Sequence, residues 1–527
     1  MSSSKPQLPE VNDADRTPLV DVLLELVAWQ SDQIEKLEQE ILKLKGETTK
    51  PKIKPSKMDQ GDTTAEGEDA QEPPKRGPKR QKTEHLRIDA TLQVEPKDIP
   101  AGSTFKGYRE VIIQDLIVES FNTCYQLAQY QAPDGRYVSG QLPEHLKGGH
   151  FGATLISFIQ HQYHHQHVTQ PLLLQFLQET GVDISAGQLN KYITEDIDDF
   201  HHEKDELLRV GLSVSSYIHT DDTGARHQGK NGYCTHIGNE LFAWFSSTES
   251  KSRINFLELL SQGVERRYVI NAGALAYMEE QKLPKSVFAS LEQACVDKKQ
   301  TEDWEAWLDE QGGYTKRHRR IITEGALMGG LLAQGIPCDL GIISDDAGQF
   351  NVFDHALCWI HAERVINRLI PLNKDHEQAV DWARNEVWGV YTELKAYQLS
   401  PTEAQAEAIK QRFRALCNKH TVYETLNQAL KRMGDNQHEL LRVLDKPYLP
   451  LHNNLSERDI RDYVKKRKIS GSTRSDAGRK ARDTFASLKK TCRKHGIPFW
   501  AYLKDRLLGE GNIPRLSELI REAATCG

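Results

Sequence analysis

Three acidic stretches, far apart in the chain, carry the residue types best suited to chemistry. Residues 217–223 read Y-I-H-T-D-D-T, a β-prone run that ends on Asp221 and Asp222. Residues 340–349 read L-G-I-I-S-D-D-A-G-Q, a second apolar run that ends on Asp345 and Asp346. Residues 452–461 read H-N-N-L-S-E-R-D-I-R, which sets Glu457 close to a helix start. Taken singly, an acid of this kind is ordinarily a solvated strand end. Three that converge could hold two divalent ions, because Mg²⁺ takes carboxylate and water oxygens in octahedral geometry. Such a pair of ions (Mg²⁺ or Mn²⁺) activates a water, stabilises the pentacoordinate phosphorus and neutralises the leaving oxygen in phosphodiester hydrolysis.

For that chemistry, adjacent strands of one sheet must bring Asp221 beside Asp345, and a helix packed on the sheet must deliver Glu457. The patterning predicts three antiparallel strands at 216–220, 231–237 and 241–247, the last two joined around Gly238-Asn239. A fourth strand is expected at 340–344, a fifth at 355–359, and a helix at 360–369. Side chains alternate between the faces of a strand, so one acid of each pair can point at the ions. Asp221 and Asp345 are favoured; Asp222 and Asp346 are the alternatives, as supporting groups or caps. The expected fold class is α/β: a mixed sheet core with large helical insertions, preceded by a helical DNA-binding region and an N-terminal coiled coil. The core spans 213–250 and 336–371, the insertions 251–335 and 372–450. A Glu-bearing helix and basic segment occupy 451–508, and 509–527 is read as a tail.

Before the core, a heptad is readable over 17–45. Val20, Val27, Ile34 and Ile41 fall on one seam, and Leu23, Gln30, Leu37 and Leu44 on the other. β-branched residues at the first position with Leu at the second favour a parallel two-stranded coil, hence a homodimer or higher assembly. Residues 46–93 are too polar to offset their ordering entropy and read as a linker. Within it, P-K-R-G-P-K-R-Q-K offers Lys75, Arg76, Lys79 and Arg80 to phosphates. Residues 94–212 combine a small mixed unit with a helical region. Its stretch 171–194 has a helix–turn–helix rhythm, broken at Gly181 and restarted by Ser185, with Leu189, Tyr192 and Ile193 inward. Gln188, Asn190 and Lys191 would then face a DNA groove. His161, His164, His165 and His167 cluster just ahead, but no acid or Cys sits at ligand spacing, so a polar helix face is the better reading.

The net charge of −7 argues against a uniformly basic coat. Residues 451–500 nevertheless hold 14 Lys and Arg against 5 Asp and Glu. Lys465, Lys466, Arg467, Lys468, Arg474 and Arg479 make this a candidate phosphate-binding face. The stretch 224–230, G-A-R-H-Q-G-K, approaches a P-loop, but Asn231 follows instead of Ser or Thr and a strand instead of a helix, so ATP binding is rejected there. No apolar run reaches 18 residues and no signal core opens the chain, so a cytoplasmic protein without a membrane partner is expected. Eight cysteines without a C-x-x-C pair point to reduced, mostly buried thiols.

Over residues 148–508 these motifs resemble the transposases of the insertion sequence 66 family, bacterial enzymes with an RNase H-like core and an Asp-Asp-Glu site. D-D-T-G at 221–224 looks like the family's D-E-T segment, and S-D-D-A-G-Q-F-N at 344–351 is similar to its second-Asp segment. C-W-I-H-A-E-R at 358–364 looks like the family's C-W-x-H-x-R-R, making Cys358, His361 and Arg364 supporting candidates. N-N-L-S-E-R-D-I-R at 453–461 matches N-N-x-x-E-R-x-x-R, which places the third acid at Glu457 with Asn453, Asn454, Arg458 and Arg461 around it. The family's Cys-rich zinc-binding segment has no counterpart. The resemblance implies cleavage at the ends of a DNA element and joining of 3′-hydroxyls to target double-stranded DNA, with two metal ions per site and small accessory proteins as partners. Two rivals remain open from the residues alone. One is a nuclease or resolvase that cuts without joining, the other a silent, domesticated DNA-binding relative.

Overall fold

The structure, a computed structural model, describes residues 86–526 apart from 144, 145, 147, 148, 263 and 295. The expected coil over 17–45 and the basic residues Lys75, Arg76, Lys79 and Arg80 lie outside the described residues. The chain divides into two units, Met1–Glu119 and Ser120–Gly527. In the described part of the first, residues 86–119, there is no helix or strand. The second opens on a three-residue hairpin, β1 (Gln129–Gln131) with β2 (Tyr137–Ser139). Asp134 at its turn accepts the Arg136 N–H at 3.1 Å. The small mixed unit expected from 94 onward is thus reduced to this hairpin, because the apolar residues there are exposed rather than packed together.

Helices then dominate. α1 (Ala153–Gln160) runs into a π-helical turn at His161–His165, and α2 (Gln170–Glu179) starts with Pro171 in its first turn. Gly181 takes φ +85° after α2, and Ser185 caps α3 (Ala186–Thr194) by accepting the Gln188 N–H at 3.1 Å. Leu173, Leu177, Leu189 and Ile193 close a small core between them. α4 (Asp198–Val214) follows and lies under the main sheet. Gly211 lets it approach, since a Cβ there would stand 2.6 Å from the Phe242 ring.

That sheet has five strands: β3 (Tyr217–Gly224), β4 (Tyr233–Gly238), β5 (Ala243–Thr248), β8 (Gly341–Ser344) and β9 (Asp354–Leu357). Their order is β5-β4-β3-β8-β9, antiparallel from β5 to β3 and parallel from β3 to β9. One face carries Ile218, Ile237, Trp244 and Ile342 into the main hydrophobic core. The other carries Cys234, Ala243 and Phe245 against Ile460 and Tyr463 of a later helix.

Between β5 and β8 lie α5 (Arg253–Leu260), α6 (Ala272–Glu280), α7 (Lys285–Glu292), α8 (Thr301–Gln311) and α9 (Lys316–Ala333). This insertion also holds a short antiparallel pair, β6 (Tyr268–Val269) with β7 (Asp297–Lys298), which its charged helical patterning conceals. After β9 come α10 (Trp359–Asn367), α11 (Lys374–Leu399), α12 (Glu403–Cys417), α13 (Glu424–Asp435) and α14 (Gln437–Leu440). These helices close a core of their own around Trp359, Val390, Phe413 and Leu430.

The chain returns to the sheet with α15 (Asn454–Ser470) and α16 (Asp476–Lys494), then α17 (Phe499–Leu508) and α18 (Leu516–Cys526). The residues read as a tail therefore include a packed helix, with Leu516 and Ile520 fully buried. α16 covers the free edge of β5. Asp483, Ser487 and Thr491 accept the N–H groups of Ser247, Phe245 and Ala243 at 2.7, 2.9 and 3.1 Å. Four helical residues rise ~6 Å and two strand residues ~6.6 Å, so an i, i+4, i+8 row matches every second strand amide. An edge that would otherwise pair with foreign strands is thereby closed.

Candidate metal-binding acidic site

Parallel pairing of β3 and β8 ends at His219 opposite Ile343. Asp221 stands two residues further along β3, on the face of His219, and Asp345 follows directly on the end of β8, where its charge bears on the Asp221 carboxyl. That face is the one on which α15 lies. Asn453, just ahead of α15, accepts from His219 Nδ1 at 3.0 Å and donates through Nδ2 to the Thr220 carbonyl at 2.8 Å. Ser456 Oγ bonds His236 Nδ1 at 2.7 Å. These buried contacts fix the first turn of the helix, and Glu457 projects from that turn.

β3 runs through the acids rather than stopping before them, since Asp221 and Asp222 still pair with His236 and Thr235 of β4. Alternation therefore separates the two acids. Asp222 faces the other side, where it accepts from Thr235 Oγ1 at 2.5 Å and from Gln349 Nε2 at 2.8 Å. Burial pushes the Asp221 carboxyl up to about 7, and the nearby Asp345, Asp222 and Glu457 charges push in the same direction. Only the Asp222 N–H, donating at 2.7 Å, works against them. Asp345 Oδ1 accepts the Ala347 N–H at 3.2 Å, whereas Asp346 is drawn away to Arg432 of α13.

Glu457 is held from the other side by α10. Arg364 Nη1 donates to Glu457 Oε1 at 3.2 Å, and His361 Nε2 lies 3.4 Å from the same oxygen. Cys358 is buried and accepts the Asn453 N–H at 3.2 Å, so burial raises its thiol pKa and its role is to anchor the start of α15. Asn454 opens α15 half-buried; Arg458 and Arg461 are exposed. Among the described residues no three His, Cys, Asp or Glu side chains are grouped closely enough to hold an ion. With Glu457 turned toward Arg364, the arrangement is one of paired aspartates with the glutamate beside them. The donor set still suits a hard divalent cation. It consists of carboxylate oxygens whose mutual repulsion at Asp221 a cation would relieve.

A second layer of support was only partly legible in the sequence. Ser344 Oγ donates to the Asp345 carbonyl at 2.6 Å and bonds His355 Nε2 at 2.7 Å, while His355 Nδ1 reaches Glu439 Oε1 at 2.8 Å. Gln349 belongs to the same D-D-A-G-Q motif as Asp345 and could have been singled out there. Glu439 sits in the all-helical insertion, and no local pattern marks it.

The basic segment is only partly a surface. Lys466 is buried, with its ammonium 3.6 Å from the Tyr163 ring centroid and donating to the Tyr163 carbonyl at 2.8 Å. Burial, aided by Arg482 and Lys489, lowers its pKa to about 7, so it is withdrawn from the expected phosphate face. Lys465 pairs with Asp462, and Arg479 with Asp476 at 2.8 Å. Arg467 donates to Thr223 Oγ1 at 3.1 Å and to the Gly224 carbonyl. Lys468 and Arg474 remain exposed. On α3, Asn190 accepts from Gln170 at 3.0 Å and Lys191 pairs with Asp196 at 3.0 Å, leaving Gln188 half-exposed beside them. The four histidines do not gather on an ion. His164 is buried against Phe485, and His161 stacks on His165. No described helix is long and apolar enough to cross a membrane.

The family model for "Transposase IS66 family" matches residues 343–481, a span that includes Asp345, the 358–364 motif and Glu457. The chain is also 39% identical over 324 residues to an uncharacterized protein, y4jO, of Sinorhizobium fredii (strain NBRC 101917 / NGR234). That match covers 60% of this chain and all of that protein. With the matched segment supplying both the second acid and the helix that faces the first, the chain belongs to the transposase IS66 family.

Proposed function

We propose that this protein is a DNA transposase with an RNase H-like core, in which Asp221, Asp345 and Glu457 hold two divalent ions, cut the ends of an element and join its 3′-hydroxyls to target DNA. The observation that carries the reading is that two neighbouring parallel strands lead to Asp221 and Asp345, whose charges bear on each other, with the Glu457 helix tied to the first of them. Mg²⁺ or Mn²⁺ bound there would supply charge neutralisation at phosphorus and activation of the attacking oxygen.

The chain's own residues do the rest. Asp221, with its pKa near 7, is about half protonated at neutral pH, so cation binding displaces a proton there. Arg364 and His361 orient Glu457; the guanidinium keeps positive charge beside it, whereas burial lowers the His361 pKa and favours its neutral ring. Asn453 and Cys358 fix the helix that carries it. The adjoining Arg467, Lys468 and Arg474 leave a basic approach for the polyanionic substrate.

The test is a strand-transfer assay with a labelled element end, a target plasmid and Mg²⁺. Joined product from the full chain, lost in Asp221→Asn, is expected. Cutting without joining would replace the transposase with a nuclease, and full activity of Asp221→Asn would remove the acids from the mechanism.

A further inference from the structure

The rejected P-loop-like stretch 224–230 has a place in the fold that its sequence did not reveal. It forms the turn between β3 and β4 and bridges to the loop between α15 and α16. Gln228 N–H donates to the Thr473 carbonyl at 2.8 Å, and Thr473 N–H to the Arg226 carbonyl at 3.1 Å. His227 Nδ1 bonds Thr473 Oγ1 at 2.9 Å. The two loops, with the end of β5 and residues of α15 and α16, line a cavity of 280 Å³. Arg226, Lys230, Arg479 and Arg482 line it, against Asp476 and Glu249. Asp476 is already taken, by Arg479 at 2.8 Å and His227 Nε2 at 3.2 Å.

Arg482 decides the matter. It is 9% exposed, and among the described residues no carboxylate pairs with it. Among the described residues its one side-chain hydrogen bond goes to the Gly471 carbonyl at 3.3 Å. A buried guanidinium normally has an anionic partner, and five donors with a single neutral acceptor leave most of its capacity open. Arg226 and Lys230 add exposed positive charge at the rim. Ala225 lies four residues beyond Asp221, about 13 Å of strand, which is too far for the reacting phosphate and suitable for a neighbouring one.

We propose that this cavity seats a backbone phosphate of the DNA strand that passes the acidic site. The inference rests on the transposase reading for the identity of its ligand, whereas its chemistry, a phosphate against buried and rim arginines, does not. The experiment uses the full chain in EDTA, a fluorescent short duplex and fluorescence anisotropy across a salt series. The rim variant R226Q/K230Q is expected to weaken duplex binding about tenfold and to flatten the plot of log K against log salt by about two contacts. R482Q should weaken it further at unchanged thermal stability. Unchanged affinity and slope in the rim variant overturn the proposal. So does a cavity that takes inorganic pyrophosphate in an Arg482-dependent way while duplex binding is unaffected, which would make its ligand a free phosphoanion. The D221N variant separates the two readings, since it should keep duplex affinity in EDTA. Rim-dependent binding by a protein that never cuts DNA would sustain the cavity and sink the enzyme. Cutting with rim-independent binding would do the reverse.

Discussion

The carboxamide of Asn453 donates to the carbonyl oxygen of Thr220 at 2.8 Å, which ties the residue ahead of the Glu457 helix to the residue ahead of Asp221. Two acids separated by more than two hundred positions are thus set by one side chain. Both ends of that carboxamide are used, since its oxygen accepts from His219 Nδ1. Burial lowers the His219 pKa to about 4, so the ring is neutral and this donor arrangement holds across the physiological range.

Asn453→Ala should therefore do two things. It strands a buried carbonyl and a buried imidazole N–H, at a cost of about 1–3 kcal/mol each where no water replaces the lost bond. It also frees the first turn of α15. Urea unfolding should show the stability loss, and DNA cleavage should fall more than tenfold. A variant with normal cleavage despite the lost stability would show that Glu457 is positioned by something else.

Asp221 makes the acidic site an energetic liability without a cation. Its folded pKa, near 7, lies above the unfolded value of 3.8, so the native state holds the proton longer and stability falls as pH rises between those values. Asp221→Asn should raise the melting temperature in EDTA, more at pH 8 than at pH 5, with no gain below about pH 3.8. Mn²⁺ should stabilise the parent chain and leave the variant unmoved. A flat pH dependence of the difference would remove the electrostatic account.

How much of this was readable beforehand depends on the range of the interaction. The apolar runs that lead to Asp221 and Asp345 announce themselves because apolar patterning and a following acid are local signals. That β3 continues to Gly224 was not readable, because its last residues are held by β4 and not by their own propensity. Lys466 counts as a basic residue in any tally, yet Tyr163 buries it, and only tertiary packing says so. The α18 helix was within reach. Leu516, Leu519 and Ile520 have helical spacing, and the expectation of a tail overlooked it.

Ser344, His355 and Glu439 have the connectivity of a hydrolase triad, but Ser344 is wholly buried and its hydroxyl is donated to the Asp345 carbonyl. Access decides against a nucleophile. The chain should show no labelling by a fluorophosphonate probe. Glu439→Gln, which removes the charge facing His355, should lower DNA cleavage through Asp345 while leaving the melting temperature within a few degrees. Labelling of Ser344 would reverse the assignment and point to acyl transfer.

The seal along β5 gives the last test. Ser487 Oγ accepts the Phe245 N–H and donates to the Asp483 carbonyl, and no described group other than α16 covers that edge amide. Ser487→Ala leaves a buried N–H unpaired, which should cost about 1–3 kcal/mol with an unchanged dependence on denaturant. Amide exchange distinguishes this from lost packing. The Phe245 amide should exchange faster, whereas Trp244 and Ser246, whose N–H groups point the other way into β4, should keep their protection. Equal acceleration at all three would mean that β5 had detached as a unit and that the hydroxyl row on α16 is not what closes the sheet.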